Sequence, residues 1–486
     1  MTAKRFLAIL MWCPLLGATN SSGESIVPRA YLQKIDMSVR GRSYTYYSFS
    51  ETIPAEVSVS GPGQLTVITR HEFTAKGEGN LEYGVSMTTD SATVDVYLFT
   101  ARPSSGAEYS HAPLCWPGRP KRIVIAVPKG LHTYSFSVER PKGRVVTAHF
   151  AMTRPWSWSL KAALMNTYDD NVYRYSPEDI EDFVHHRADE RYEMETYDDF
   201  ISSSSVTMYV TRRFSQRLRS RLRLKYGYTF FALNRARNYE TISLSVKTTI
   251  SEGSCVQVSY FHVPRYLIRP YFDEDTPPGN SGVYKKCDFS RNLYSFRVGQ
   301  RMSGSTRGEV FYERDILNYN PFFTEYDMRA NTFGFELSRA VGSHVEGRFA
   351  YALRRAEAKG YDEIGETKEA SDDSDISYDE DRFEGELRCE RIGIVSAPLS
   401  FAFQYRLGMR YFTTNKALDK DPFHAGRADA IHRFSFVGQI EINPRVALIA
   451  KYEFQKRTVS SEEKERITEV KNFHRNRISL GFEFTQ

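Results

Sequence analysis

The segment 217–231, RLRSRLRLKYGYTFF, decides the fold. One set of alternate positions is cationic: Arg217, Arg219, Arg221, Arg223 and Lys225. The intervening set is mostly apolar or aromatic: Leu218, Leu222, Leu224, Tyr226, Tyr228 and Phe230. A β-strand turns alternate side chains to opposite faces, whereas a helix would spread both sets around its axis. The segment is therefore predicted to be a strand with one cationic and one apolar face.

The cationic face limits where such a strand can lie. Successive side chains on one face of a strand are about 7 Å apart. Each such pair of charges repels by roughly 0.6 kcal/mol in water, and by several times more in a dry interior. The charges must therefore face water or carboxylates. A water-filled membrane barrel has a wet inside and an apolar outside, so the segment favours a barrel strand.

The same alternation recurs to the end of the chain. It is clearest at 399–411, where seven apolar or aromatic residues from Leu399 to Tyr411 occupy every second position. We predict fourteen strands, at 158–175, 205–214, 217–231, 239–250, 254–264, 287–301, 306–317, 326–340, 343–356, 381–394, 398–412, 430–442, 445–457 and 472–485. An even number returns both ends of the barrel to one side of the membrane.

The predicted connections alternate in length. Short turns are expected near Ser215, Gly253, Ser303-Gly304, Gly342, Ala397-Pro398 and Asn443-Pro444. Mostly longer connections are expected at 176–204, 232–238, 265–286, 318–325, 357–380, 413–429 and 458–471. A bacterial barrel has tight turns on one side and long loops on the other, whereas the architecture of a β-sandwich does not require connection lengths to alternate. The alternation is independent support for an up-and-down barrel.

Composition agrees with this prediction. The charged fraction is 26% and the mean hydropathy is -0.48, and after the N-terminus no stretch is apolar for the roughly 20 residues that a membrane helix needs. Aromatic residues make up 14%, which suits strands and aromatic girdles. The net charge of +5 comes from 65 basic and 60 acidic residues, so no uniformly basic domain indicates nucleic acid as a partner.

The N-terminus has the pattern of an export signal. Residues 1–18 hold two basic residues, an apolar run at 6–16 and then small residues, which is the order of a signal peptide. Trp12 precedes Cys13 where lipid attachment requires a small residue, so lipidation is not expected. The other four cysteines lack the spacing of metal ligands and are expected to be free apolar residues: Cys115, Cys255, Cys287 and Cys389. No metal and no cofactor is predicted.

Residues 26–150 are predicted to form a separate β-sandwich. Eight short β-type runs occur at 44–49, 56–60, 64–70, 81–87, 93–100, 122–127, 132–138 and 144–150. Turn signals separate them, including Gly61-Pro62-Gly63, Pro103-Ser104-Ser105-Gly106 and Pro128-Lys129-Gly130. The domain resembles immunoglobulin-like or carbohydrate-binding modules in size. Trp116 and the tyrosines fit either a sugar platform or ordinary core packing, and no motif fixes a ligand.

Residues 158–486 resemble the outer-membrane β-barrels of Gram-negative bacteria. The last strand, with Ile478, Leu480, Phe482 and Phe484 on one face, is similar to the C-terminal signal read by the barrel assembly machinery, although the chain ends in Thr485-Gln486. The resemblance implies a barrel in the cell outer membrane, in contact with lipid and lipopolysaccharide, and an N-terminal domain in the periplasm. It implies no particular substrate.

If the apolar positions face lipid, the opposite positions line the lumen. The predicted basic lining is Arg213, Arg217, Arg219, Arg221, Arg223, Lys225, Lys247, Arg297, Arg301, Arg307, Arg348, Arg354, Arg406 and Arg410. The predicted acidic lining is Glu309, Glu313, Glu336, Glu346, Glu384, Glu386, Glu390, Glu441 and Glu453. In a ring of fourteen the third strand lies opposite the tenth, which predicts arginines on one wall and carboxylates on the other. The alternative is that the charges pair locally and hold a narrow lumen shut.

Two long connections have features of their own. Ser176-Pro177-Glu178-Asp179 is a helix start with a Ser cap and an early Pro, and the helix is either a lid, a lumen constriction or a solvated loop helix. The acidic connection 357–380 is expected to be solvated and mobile, with contact to divalent cations or lipopolysaccharide as the alternative. No nucleophile and base stand in recognisable catalytic spacing, so an enzyme is not predicted.

Two functions follow as hypotheses. The first is a channel that passes small hydrophilic or anionic solutes by diffusion. The second is a structural or assembly protein, in which the barrel anchors a sandwich that binds a glycan or another envelope protein.

Overall fold

The computed structural model describes residues 24–39, 42–75, 79–90, 94–110, 115–187, 191–215, 218–251, 253–272, 284–342, 344–392, 398–461, 467 and 471–486. These residues form two compact units. The first runs to Trp158 and includes Thr211–Arg213, and the second comprises Ser159–Val210 and Phe214–Gln486. The predicted export signal and Arg217 lie outside the described residues.

The first unit is built from one sheet. Its strands are β1 (Glu24–Ile26), β2 (Gln33–Val39), β3 (Arg42–Phe49), β4 (Ala55–Phe73), β5 (Leu81–Thr89), β6 (Val94–Ala101), β7 (Ala107–Tyr109), β8 (Trp116–Pro117), β9 (Lys121–Arg140) and β10 (Val146–Thr153). Their main order is β6-β5-β9-β4-β10-β3-β2-β7. The rings of Phe136 in β9 and Phe150 in β10 lie 5.5 Å apart, although β4 separates these strands in the sheet. The sheet therefore folds over on itself around a buried apolar core, and the all-β prediction is confirmed.

Two predicted turns in this unit are wrong. Gly61-Pro62-Gly63 lies inside β4 and Pro128-Lys129-Gly130 lies inside β9, so four predicted runs merge into two long strands. The two segments face each other, since Gly61 pairs with Gly130 and the register shifts between Gly61 and Gly63. A Cβ atom on Gly61 would lie 1.7 Å from the Pro128 carbonyl oxygen. Glycine is needed here for close approach of two backbones at a bulge, rather than for a chain reversal.

The second unit is a closed antiparallel barrel of fourteen strands in sequence order, as predicted. The strands are β11 (Trp156–Asp169), β12 (Asp199–Arg213), β13 (Arg219–Phe231), β14 (Tyr239–Thr249), β15 (Cys255–Phe272), β16 (Tyr284–Arg301), β17 (Thr306–Tyr319), β18 (Met328–Val341), β19 (Val345–Ala358), β20 (Tyr378–Ile392), β21 (Leu399–Phe412), β22 (Ala428–Asn443), β23 (Val446–Ser460) and β24 (Phe473–Thr485). Six links have two to six residues and alternate with seven of seven to 29 residues. The alternation predicted from the sequence is confirmed.

The barrel closes between its first and last strands. Along this seam Leu164 pairs with Phe482 and Asp169 with Arg477. Asp169 is fully buried and accepts hydrogen bonds from Nε and Nη2 of Arg475, and Arg477 Nε lies 3.3 Å from it. An ion cluster therefore joins the two strands at the end of the seam where the long connections lie.

The apolar positions of the strands face outward. Val258, Phe333 and Leu480 are 55%, 61% and 64% exposed, although each lies within a paired strand. Register keeps the faces matched, since Leu222 pairs with Val246 and Arg223 with Ser245. A continuous belt of exposed apolar side chains on a closed barrel is the surface that lipid covers.

Helix α1 (Pro177–Val184) lies in the connection between β11 and β12, and its predicted start is confirmed. Ser176 and Asp179 form a reciprocal capping box, and Pro177 occupies the first turn. Ile180 and Phe183 pack on a cluster that includes Ile201 and Phe231, and Val184 is exposed. In the part of the chain that is described, no helix has the length and apolar character needed to span a bilayer. The connection thus packs against the start of β12 and the end of β13.

Candidate functional site in the barrel lumen

The inward positions of the strands bring charged side chains together across the lumen surface. Arg297 on β16 lies 4.0 Å from Glu336 on β18, and Arg382 on β20 lies 3.9 Å from Glu313 on β17. These pairs skip one and two strands respectively, which only side chains on the concave face can do. The predicted inward orientation of Arg297 and Glu313 agrees with these contacts.

One wall, from β16 to β21, carries a ladder of alternating charge. Arg348 contacts Glu384 and Glu386, each at 2.7 Å, and Glu336 at 3.5 Å. Arg406 reaches Glu384 at 2.6 Å, and Arg297 reaches Glu313 at 3.2 Å. Each carboxylate of the ladder thus has at least one guanidinium partner on this wall. The contact network makes the wall close to neutral, and we call it the paired wall.

The predicted separation of arginines on one wall from carboxylates on the opposite wall does not hold at β20. Glu384 and Glu386 on β20, the tenth barrel strand, bond to arginines on the adjacent strands β19 and β21 and on β20 itself. They do not form ion pairs with the described residues of β13, the third strand. Ion pairs between adjacent strands are favoured over pairs across the lumen. Their charges are closer together, and less water lies between them to weaken the Coulomb attraction. Local pairing, the alternative considered from the sequence, describes this wall.

The remaining predicted lining residues lie in several places. Arg410 bonds to Glu380 at 2.9 Å, and Glu309 contacts Arg307 at 2.7 Å. Arg213, Arg301 and Glu390 lie near the short connections, where Arg301 and Glu390 are exposed. These three residues therefore belong to the rim rather than to the middle of the lumen.

The wall formed by β13 and β14 is different, and we call it the cationic wall. It carries Arg219, Arg221, Arg223 and Lys225 on β13 and Lys247 on β14. Among the described residues none of these five has a carboxylate oxygen within ion-pair distance. The Arg221 guanidinium instead lies 4.1 Å above the ring of Tyr209 on β12. Arg219 and Arg221 are exposed, and Arg223 and Lys225 are partly buried.

A cavity of about 630 Å³ lies at the end of the lumen where the long connections are. Of its described lining residues, nine are Lys or Arg and none is Asp or Glu. Six tyrosines line it as well: Tyr173, Tyr239, Tyr266, Tyr271, Tyr319 and Tyr378. We call this cavity the chamber. Only two of its basic residues, Arg354 and Arg410, were predicted as lining residues. Arg291 lies within the predicted strand 287–301 at the same parity as Arg297 and was missed, and the other six lie in connections or near strand ends, where alternation gives no signal.

The acidic connection 359–377 is partly packed, contrary to the expectation of a solvated face. Asp375 is fully buried and contacts Lys368 at 3.0 Å, and buried Asp373 accepts a hydrogen bond from Ser371. Carboxylate oxygens of Asp362, Glu366 and Asp373 lie within 4.8 Å of one another. Burial raises the pKa of Asp373.

The free cysteines, Cys115, Cys255, Cys287 and Cys389, are unpaired as predicted.

Comparisons with known proteins give weak likenesses. No family model and no curated protein matches the chain. An anion-selective porin from Comamonas acidovorans is 10% identical, with a TM-score of 0.34 over 68% of this chain and 99% of that one. OmpT of Vibrio cholerae is 8% identical, with a TM-score of 0.35 over 69% and 98%. OprD of Pseudomonas aeruginosa is 10% identical, with a TM-score of 0.31 over 68% and 95%.

The class of the protein follows from its own architecture. A closed antiparallel barrel of fourteen strands, with an apolar outer belt and a charged interior, is the fold of an outer-membrane β-barrel protein. Long and short connections alternate as they do in that class. The class assignment therefore covers the second unit. It does not identify a solute.

Proposed function

We propose that the barrel is a channel through which small hydrophilic solutes diffuse, with a preference for anions. The observation that carries this proposal is the cationic wall, where five inward Lys and Arg side chains have no carboxylate partner among the described residues. Such a wall lowers the electrostatic energy of an anion and raises that of a cation in the lumen. The chamber supports the same sign, since its described lining is basic.

The paired wall fits this function as well. Its carboxylates are bound by arginines, so they neither attract cations strongly nor cancel the charge of the cationic wall. The lumen field is then set by side chains that remain without a counter-charge. We further propose that the barrel contacts lipid and lipopolysaccharide, is inserted by the barrel assembly machinery, and holds the N-terminal unit in the periplasm.

Planar-bilayer recording of the full chain tests the channel. With a KCl gradient across the bilayer, the reversal potential reports the ratio of anion to cation permeability. We expect a ratio above unity that falls by at least about twofold in the double variant Arg221→Gln/Arg223→Gln, because two lumen charges are lost. Arg339→Gln is the matched control, since this exposed residue lies on the lipid-facing positions of β18 near a short connection. The proposal fails if the folded protein carries no ion current, or if the double variant keeps the parental reversal potential.

A second candidate is favoured by one feature of the first unit. Edge strand β6 exposes Val94, Val96 and Leu98 side by side on one face. An exposed apolar stripe on an edge strand is a surface at which another protein can dock. In this case the barrel would be an anchor, and liposomes containing the folded protein would show no solute flux.

A further inference from the structure

The basic side chains of the chamber fall into two groups. Four have a carboxylate partner: Arg291 and Arg354 with Asp315, Arg410 with Glu380, and Arg427 with Asp429. Five have none within ion-pair distance in the described ranges: Arg174, Arg237, Arg269, Arg457 and Lys471. Asp179, a carboxylate that acts on Arg269 and Lys471 electrostatically, is bonded to Arg191 at 2.6 Å. The five therefore form a cationic cluster within one cavity.

Two of these arginines are held rigidly although they lack a counter-charge. Arg237 is 4% exposed, donates from Nη1 to the Ile268 carbonyl at 2.7 Å, and has its guanidinium 4.5 Å above the Tyr173 ring. Arg269 is 9% exposed and lies between Tyr175 and Tyr271, with 5.1 Å from its guanidinium to each ring centre. Aromatic stacking covers the faces of a guanidinium and leaves N–H groups at its edge for a further acceptor.

The other side of the cluster is built in the same way. Arg457 donates from Nε to the Lys471 carbonyl at 2.6 Å, and its guanidinium lies 4.8 Å above the Phe473 ring. The Lys471 ammonium lies 5.1 Å from the ring centre of Phe423. Backbone and aromatic contacts thus hold these cations in place. Neither contact neutralises their charge.

Five cations that line one cavity, two of them buried, repel one another unless anions join them. On the paired wall the chain supplies carboxylates for its arginines, whereas five of the nine basic residues of the chamber have none among the described residues. Its volume falls within the range of small-molecule sites, roughly 300–1,000 Å³. A neighbouring cavity of about 420 Å³ shares Arg269, Tyr271 and Lys471 with it, so the cationic surface continues. Cations on separate connections and strands match an anion with several acidic groups better than a single chloride.

We propose that the chamber is a binding site for compact polyvalent anions that carry two or more carboxylate or phosphate groups. The inference deepens the proposed function and rests on it, because it names the class of anion that the channel would concentrate. Arg237 also donates from Nη2 to the Tyr266 hydroxyl at 3.0 Å, so such a ligand receives hydrogen bonds from the remaining N–H groups of Arg237 and Arg269 and a point charge from Lys471.

The test uses the refolded full chain and four probes: citrate, pyrophosphate, succinate and acetate. Isothermal titration measures binding, and the block of KCl current in planar bilayers measures occupancy of the pathway. We expect citrate or pyrophosphate to bind at least about tenfold more tightly than acetate, with succinate between them. Arg269→Gln and Lys471→Gln should each weaken that binding by about tenfold, and the control Arg339→Gln should not change it.

The outcomes separate this inference from the channel itself. Tight binding of citrate alone supports the site and assigns carboxylates, and tight binding of pyrophosphate alone supports it and assigns phosphates. If neither probe binds more tightly than acetate while current and anion preference persist, the inference is overturned and the channel stands. If binding is tight but no current flows, the site stands and the channel fails. Heat-dependent mobility on SDS gels shows whether each variant is folded. If Arg269→Gln does not fold, the Lys471→Gln variant decides the outcome, because Lys471 is only half-buried.

Discussion

The two walls of the lumen use the same residue types in opposite ways. On the paired wall, Arg348 bridges Glu336, Glu384 and Glu386, so each charge has a partner on the same or a nearby strand. On the cationic wall, Arg221 and Arg223 have no carboxylate partner among the described residues. We expect charges on the first wall to contribute to stability by mutual attraction. Under the proposed function, charges on the second wall set the electric field that a solute meets. The position of the arginines along the chain does not reveal this difference, but their partners do.

The largest effect should come from breaking the paired wall. Arg348→Ala leaves three carboxylates close together with fewer counter-charges, and we expect a loss of about 2–3 kcal/mol in the free energy of unfolding, since lumen water offsets part of the cost. Urea denaturation of the barrel in liposomes measures the change. Arg223→Ala is the matched control and should shift that free energy by no more than roughly 0.5 kcal/mol. Equal losses in both variants would remove the distinction between the walls.

A smaller effect should come from reversing a charge on the cationic wall. Arg223→Glu places a carboxylate among Arg221, Lys225 and Lys247, which can pair with it. We expect the anion preference to fall further than in Arg223→Gln, with stability unchanged or slightly raised because like-charge repulsion is relieved. Reversal potentials of the three proteins in one KCl gradient give the comparison. An unchanged preference in Arg223→Glu would mean that ions do not pass this wall.

The smallest effect should be a pH dependence in the chamber. Burial, followed by the charges of Arg269, Arg427 and Arg457, lowers the pKa of Lys471 well below its usual value, while Asp179 acts in the opposite direction. Lys471 is charged below its pKa and neutral above it, so the affinity for an anion should fall across the pH range in which Lys471 loses its proton. Titration with sulfate, whose own charge stays constant over that range, measures the fall. Lys471→Gln should abolish most of it, and a slope that survives in this variant would assign the pH dependence to another group.

The sequence predicts much of the barrel and less of its interior. Strand positions follow from alternation because lipid requires an unbroken apolar face, as at Leu399–Tyr411 on β21. Alternation does not predict the ion-pair partners. Several arginines share the inward parity, and only their distances in the folded barrel determine which of them contacts Glu384. The chamber residues Arg174, Arg237 and Lys471 lie in connections, where no period marks which side chains turn inward. In the first unit, Gly61 was predicted to lie in a turn because bulge and turn use the same residue types.

The ion pairs across the seam between β11 and β24 oppose a sideways opening of the barrel. Opening the barrel sideways at that seam would break the contacts of Asp169 with Arg475 and Arg477 and leave a buried charge in an apolar surrounding. Lys161 on β11 also contacts Glu483 on β24, so both ends of the seam carry ion pairs that the opening would break. In a channel of the proposed kind, a solute would therefore leave along the axis of the barrel and not sideways into the surrounding lipid.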